Sequence, residues 1–325
     1  MRALARLSLI LVLVLVAVSA YLRLHDSGIG CADFPACYAL IGEQPKPAAS
    51  TAENAYQRIV AESDAPLAWA APLHRLVASL LGLAVLALNV LAFKNRQRRL
   101  ICLALLALTV FLAVIGLKSG GLHHPAIVLG NLVGGFLLLG LLGWLVYGFS
   151  LGAARYMETR IRHLRPLLLA ALVALGLQIL IGGLTSANFA ATACQTFPTC
   201  NGAWLPDATL YTALRIDEPH EIDARGYAVG GPERVSVHQA HRIMGIVAFM
   251  FIFAAAVAAI QATEAHRKWG IALLVLLLLE FSAGIASVLT GLPIMLAVSH
   301  NWLAALLLLV LLKLLAISRE KWWPG

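Results

Sequence analysis

The sequence predicts an all-α integral membrane protein: eight transmembrane helices arranged as two parallel four-helix repeats. Three observations carry that prediction. Hydrophobic residues make up 61% of the 325-residue chain and charged residues only 12%, and the mean hydropathy is +0.85, which excludes an ordinary soluble globular protein. Eight apolar runs reach or approach the roughly 20 residues needed to cross about 30 Å of hydrocarbon. A short script also recurs. Cys31-Ala-Asp-Phe-Pro-Ala-Cys37 is answered by Cys194-Gln-Thr-Phe-Pro-Thr-Cys200 after 163 residues, and His74-Arg75 by His241-Arg242 after 167.

The runs fall at 4–22, 67–93, 100–117, 125–147, 166–185, 235–261, 269–290 and 293–317. The first follows Arg2 and Arg6 and resembles a signal peptide, with Val18-Ser19-Ala20 as a cleavage site. Its uninterrupted stretch from Leu7 to Leu22 is long for a signal core, so it reads as a retained helix. The second and sixth runs follow long polar stretches and carry the His-Arg pairs. The third is short, and only Gly291-Leu292-Pro293 separates the seventh from the eighth. Gly134-Gly135, Gly182-Gly183 and Gly284 read as sites of close helix packing. Residues 1–150 form an N-terminal four-helix half, 151–165 a basic cytoplasmic linker, and 166–325 a C-terminal half. Because four is even, the second copy enters the membrane in the same direction as the first, and an axis along the membrane normal relates the halves.

The net charge of +8 is topological. Lys and Arg collect in alternate connections, including Lys94 to Arg99, Arg155 to Arg165, and Arg267-Lys268, whereas the long connections 24–66 and 186–234 are rich in Asp and Glu. The positive-inside rule then puts both termini in the cytoplasm and both acidic loops outside. That placement excludes a nucleic-acid footprint. Four of the five cysteines lie in the outer loops at identical spacing. Outside a bacterial plasma membrane such pairs oxidise, giving the expected disulfides Cys31–Cys37 and Cys194–Cys200. A metal site is the alternative, but no further ligand recurs beside both pairs. Cys102, inside the third run, reads as a small buried apolar residue.

Ionisable residues inside membrane segments are costly and are functional candidates by default. His74 lies early in the second run, His241 holds the matching place in the sixth, and His300 lies about two turns into the eighth, all in the outer half of the membrane. A neutral imidazole offers one lone pair to a metal while its other nitrogen holds a hydrogen bond. Two of them on neighbouring helices supply opposite axial ligands to haem iron. The bland alternative is a histidine satisfied by helix packing. His238, one turn before His241 on the same face, competes for the ligand role. Arg75 and Arg242 are read either as partners of haem propionates or as snorkelling interface anchors.

At these residues the chain resembles the haem A synthase family. The stretch from Leu22-Arg23-Leu24 through Ser27-Gly28, Cys31 and Pro35 is similar to the family's opening signature. Gly183 to Phe189, leading into Cys194, and Cys200-Asn-Gly-Ala-Trp204 are similar to its second-half counterpart. The resemblance spans essentially the whole chain. It implies eight helices in two halves, a resident haem b held by His241 and His300, and an N-terminal half, with His74, that receives haem O. The implied reaction oxidises a methyl group of haem O to a formyl group, making haem A for terminal oxidases. Haem O synthase and terminal-oxidase assembly are the implied neighbours, in lipid, with homo-oligomerisation left open.

Two positions depart from the family pattern. Its fourth-helix histidine is expected where this chain has Asn131, and an acidic residue is expected three positions before His74, where this chain has Ala71. Asparagine is a poor iron ligand. His123 and His124 do not replace it, because His124 lies about 10 Å above Asn131 along a helix rising 1.5 Å per residue. These departures motivate a second reading, a diverged haem-binding paralogue for electron transfer, storage or regulation. A third reading, a transporter built from parallel repeats, expects broken helices and charged midplane residues. Gln178 and Glu280 are the deepest polar side chains that could serve it.

Overall fold

A chain in lipid must satisfy its backbone hydrogen bonds internally, which leaves helices as the natural solution for long apolar runs. The computed structural model of the protein describes residues 1–25, 70–118, 124–149, 159–194, 196–207, 209–218 and 231–318. Among them are eight helices long and apolar enough to cross a membrane. They are α1 (Arg2–His25), α2 (Ala70–Lys94), α3 (Arg99–Lys118), α4 (Pro125–Gly148), α5 (Thr159–Ala187), α6 (Glu233–Ala262), α7 (Glu264–Leu289) and α8 (Ile294–Ile317), with a single helical turn at Leu210–Ala213 before α6. Each span is one continuous helix, without the breaks that the transporter reading expects.

Two boundaries differ from the apolar runs by more than three residues. Helix α5 begins at Thr159 rather than 166, and α7 at Glu264 rather than 269. Both extensions are rich in charged residues, so hydropathy does not mark them although backbone hydrogen bonding continues the helix. The seven residues 159–165 therefore belong to α5 rather than to a linker.

In the first half α1 packs on α2 and α4, and α3 packs on α2 and α4; in the second α5 packs on α6 and α8, and α7 packs on α6 and α8. Across the halves α1 meets α8, α4 meets α5, and α4 meets α8. Two apolar clusters form the core. One joins Val12, Leu88, Leu105 and Leu139 of α1–α4, and the other joins Leu168, Ile252, Leu273 and Leu311 of α5–α8. Helix α8 serves both, sending Ala304, Ala305 and Leu309 to the first and Leu307, Leu311 and Leu314 to the second. Large apolar side chains such as Leu83, Val90, Leu100 and Val173 face outwards, as a lipid-facing surface requires.

Polar ties are few and local. Buried Asn89 donates to the carbonyls of Val85 and Cys102, joining α2 to α3. His266 spans from Thr263 Oγ1 at the α6–α7 turn (2.7 Å) to Ser318 Oγ just past the end of α8 (3.1 Å). The α6–α7 contact depends on a missing side chain. A Cβ on Gly270 would stand 2.8 Å from Ile260 N and 2.9 Å from Ala256 O, and no rotamer change can move backbone atoms aside. Gly270→Ala is therefore expected to prise α6 from α7 and to cost about 1–3 kcal/mol, the range for overpacking. Thermal unfolding in detergent, followed by tryptophan fluorescence, checks this; an unchanged midpoint would contradict the close packing.

Candidate functional site: a histidine-lined cavity between α5 and α8

Four helices turn a stripe with helical spacing towards one point. On α6 the stripe is His238, His241, Gly245, Ala248 and Ile252, on α7 Leu277, Glu280 and Gly284, on α8 Ala297, His300, Ala304 and Leu307, and on α5 Leu175, Gln178 and Gly182. Spacings of three and four keep each set on one helix face. The stripes enclose a cavity of about 330 Å³. Arg23 and Leu24 of α1, Leu132 and Phe136 of α4, and Phe197, Pro198 and Trp204 of the 188–209 loop complete its wall.

His241 and His300 face each other across this space, with ring centroids 6.3 Å apart and planes at 87°. Each ring rests on a glycine of the neighbouring helix. A Cβ on Gly182 would stand 2.9 Å from His241 Cε1, and one on Gly284 3.2 Å from His300 Cε1. The glycines of α5 and α7 thus supply the room the imidazoles occupy, a more specific role than helix packing alone. Glu280 lies beside His300 Nδ1, through Oε1 at 3.2 Å and its main-chain carbonyl at 3.3 Å. Gln178 Nε2 stands 3.4 Å from His241 Nε2, while His241 Nδ1 is buried with no hydrogen-bond partner among the described residues.

This geometry suits a metal held between two rings. Imidazole nitrogens bind first-row metals at about 2.0–2.1 Å, so two of them on opposite sides of one ion bring their centroids to about 6 Å. Among the described residues no group of three or more His, Cys, Asp or Glu side chains could hold a metal ion by itself. Two facing imidazoles fit the axial positions of a metal whose other positions are filled by its own macrocycle, as in haem. The largely apolar cavity, with polar groups towards its loop end, fits such a planar amphipathic group.

The loop end is built by the first turns of α6. Arg242 donates through Nη1 to the carbonyls of Thr196 (2.7 Å) and Thr199 (3.1 Å), and through Nη2 to that of Cys194 (2.9 Å). Its terminal nitrogens clamp the loop closed by the Cys194–Cys200 disulfide, whose Cα atoms are 4.7 Å apart. Buried His238 donates from Nδ1 to Ala190 O at 2.8 Å, and Gln239 donates to Ala203 O at 2.9 Å. Arg23 Nη2 donates to Asn301 Oδ1 at 3.2 Å, bringing α1 against α8 beside His300.

The other sequence-selected residues lie elsewhere. His74 is half-buried in the first turns of α2, Arg75 is exposed beside it, and Asn131 is half-buried on α4. None of the three lines this cavity. His124 is the exposed N-cap of α4, and His123, Cys31 and Cys37 fall outside the described residues. Cys102 is buried and free, as expected. The sequence reading did not foresee four contributors: Gln178 as the neighbour of His241, Glu280 as the neighbour of His300, Arg23, and the ring-cradling role of Gly182 and Gly284. The stripes could have flagged Gln178 and Gly182, since both fall on the α5 face that repeats every three to four residues.

Fold and site together define a multi-pass helical membrane protein with an intramembrane pair of facing imidazoles. Residues 2–312 match the COX15-CtaA family of cytochrome oxidase assembly proteins, and the chain belongs to that family. A heme A synthase of Shewanella oneidensis is 32% identical over 312 residues, covering 95% of this chain and 93% of that protein. A heme A synthase of Rhizorhabdus wittichii is 29% identical over 187 residues, covering 56% of this chain and 48% of that protein.

The loop also contains a titratable latch. Ser236 Oγ donates to Asp207 Oδ1 at 2.6 Å, Thr209 N donates to the same oxygen at 2.8 Å, and the Thr209 hydroxyl joins them. The Ser236 hydrogen bond first, then those from Thr209, hold the Asp207 carboxyl below its ordinary value. A depressed folded-state value means that the latch contributes fully above the unfolded-state pKa of about 3.9 and is lost as pH falls through the folded value. The loop is expected to loosen only below about pH 4, and Ser236→Ala should shift that loosening to higher pH. A pH titration of fluorescence from exposed Trp204 checks this; identical curves for both proteins would remove Ser236 from the latch.

Proposed function

We propose that the chain is a haem A synthase, a membrane oxidoreductase that converts a methyl group of haem O to the formyl group of haem A. The observation that carries this is the His241–His300 pair at 6.3 Å, in a chain that belongs to this family over residues 2–312. In this reading the two imidazoles hold a resident haem b, which when bound supplies one-electron redox chemistry. Gly182 and Gly284 leave the rings room, and Phe136, Phe249 and Phe281 line an apolar slot that keeps water from the metal. Arg23 and the clamped loop close the polar end, where carboxylate side groups meet cations.

The N-terminal half is proposed to take the substrate, with His74 facing haem O and Asn131 across from it as a hydrogen-bonding but weakly ligating group. Ala71 provides no carboxyl there, so proton transfer at this position falls to water or to the substrate's own groups. The matching helix order inside the halves supports their description as parallel repeats. The charge pattern supports a bacterial inner membrane with both termini in the cytoplasm. Haem O synthase and terminal-oxidase assembly are the proposed neighbours.

Expression with a haem O synthase, followed by extraction of the haems, tests the activity. Haem A or its hydroxylated intermediate is expected; unchanged haem O alone would leave a haem-binding paralogue. His241→Ala and His300→Ala are each expected to abolish the low-spin absorption of a bis-histidine haem, while His74→Ala leaves that absorption and stops turnover. Retention of the low-spin spectrum in either His241→Ala or His300→Ala would sink the ligand assignment.

A further inference from the structure

The two facing imidazoles have unequal surroundings. His300 has a carboxyl oxygen, Glu280 Oε1, 3.2 Å from Nδ1, and the two side chains are 27% and 15% exposed. Among the described residues the hydrogen-bonding neighbour of His241 is the amide of Gln178, at 3.4 Å, and no carboxylate stands beside its ring as Glu280 does beside His300. Glu280 and Gly284 are four residues apart on one face of α7, so a single helix face both accepts the Nδ1 proton of His300 and seats its ring. The second carboxyl oxygen, Oε2, is buried with no hydrogen-bond partner among the described residues. Such a group is expensive in an apolar span unless a positive centre lies close by.

We propose that Glu280 is the positioning residue for the His300 ligand and lowers the reduction potential of the haem that it holds. The inference rests on the His241–His300 haem site proposed above. With Nδ1–H committed to Glu280, the lone pair of His300 stays on Nε2, and the ring orientation is fixed. A carboxyl partner on the outer nitrogen makes an imidazole a stronger donor. Stronger donation and a nearby negative charge both favour ferric over ferrous iron, so the haem yields its electron more readily to an acceptor. Glu280 touches neither substrate nor iron in this role; it acts through His300.

The test is redox titration of the purified haem-loaded full chain. Glu280→Gln, which keeps shape and removes charge, is expected to retain the low-spin spectrum and to raise the midpoint potential. A tenfold shift in the ferrous-over-ferric preference corresponds to about 59 mV for one electron. Glu280→Asp, which retains the charge, should fall closer to wild type than Glu280→Gln does. A Glu280→Gln potential equal to wild type overturns the inference, as does a Glu280→Asp shift as large as that of Glu280→Gln. Should Glu280→Gln fail to accumulate, Glu280→Asp is read against wild type, and a rise of 59 mV or more overturns the inference. A wild-type protein without low-spin bis-histidine haem instead overturns the parent reading, so the two failures are distinguishable.

Discussion

An imidazole inside an apolar span has no bulk water to satisfy it, and the glycines and the carboxyl beside His241 and His300 answer that constraint. The rings need space, which Gly182 and Gly284 provide by lacking a Cβ. One needs a partner for its outer nitrogen, which Glu280 supplies. Their ring centroids are 6.3 Å apart, a distance compatible with a metal held between the two rings. Replacing Glu280 would leave His300 Nδ1 without its carboxyl partner in a low-dielectric setting, and a side chain on either glycine would crowd the ring that rests there. The constraint therefore couples residues on four helices, α5 to α8.

Helix α8 converts that local constraint into a property of the whole fold. Its small residues Ala304 and Ala305 pack into the cluster of α1–α4, and Leu307, Leu311 and Leu314 pack into the cluster of α5–α8. His300 and Asn301 sit one turn before this shared segment, and Asn301 accepts from Arg23 at the end of α1. The position of the His300 ring thus depends on both halves. Helix α6 does the corresponding work towards the outer loop. Ser236, His238, Gln239 and Arg242 hold four separate points of the loop with hydrogen bonds, while His241 between them points inwards.

The sequence made the spans legible because hydropathy over twenty residues is a one-dimensional signal, and its repeat exposed the histidines at equivalent places. It could not reveal register between helices. Glu280 and His300 are twenty residues apart, and only the α7–α8 turn decides that they meet; that turn includes Gly291 and Leu292, both at positive φ. Gln178 and Glu280 were visible only as isolated deep polar residues, which the sequence tied to no partner. Arg242 illustrates a different limit. Its type and place suited a carboxylate partner, yet its terminal nitrogens reach three carbonyls of the loop that holds the Cys194–Cys200 disulfide. The α5 boundary was missed because Thr159 to Arg165 is polar, and helical geometry does not require apolarity.

On the proposed function, the unlike chemistry of the two halves becomes intelligible. A resident cofactor should be held by two strong ligands, and the α6–α8 pair meets that need with a seat, a hydrogen-bonding carboxyl and a clamped lid. A substrate must arrive and leave. In the proposed substrate half, the residues answering the histidine pair by sequence position are His74 and Asn131, and asparagine hydrogen-bonds more readily than it ligates iron. The same logic makes Glu280 more than a packing residue, because a permanent ligand pair is the only place where tuning donor strength has a lasting effect on electron flow.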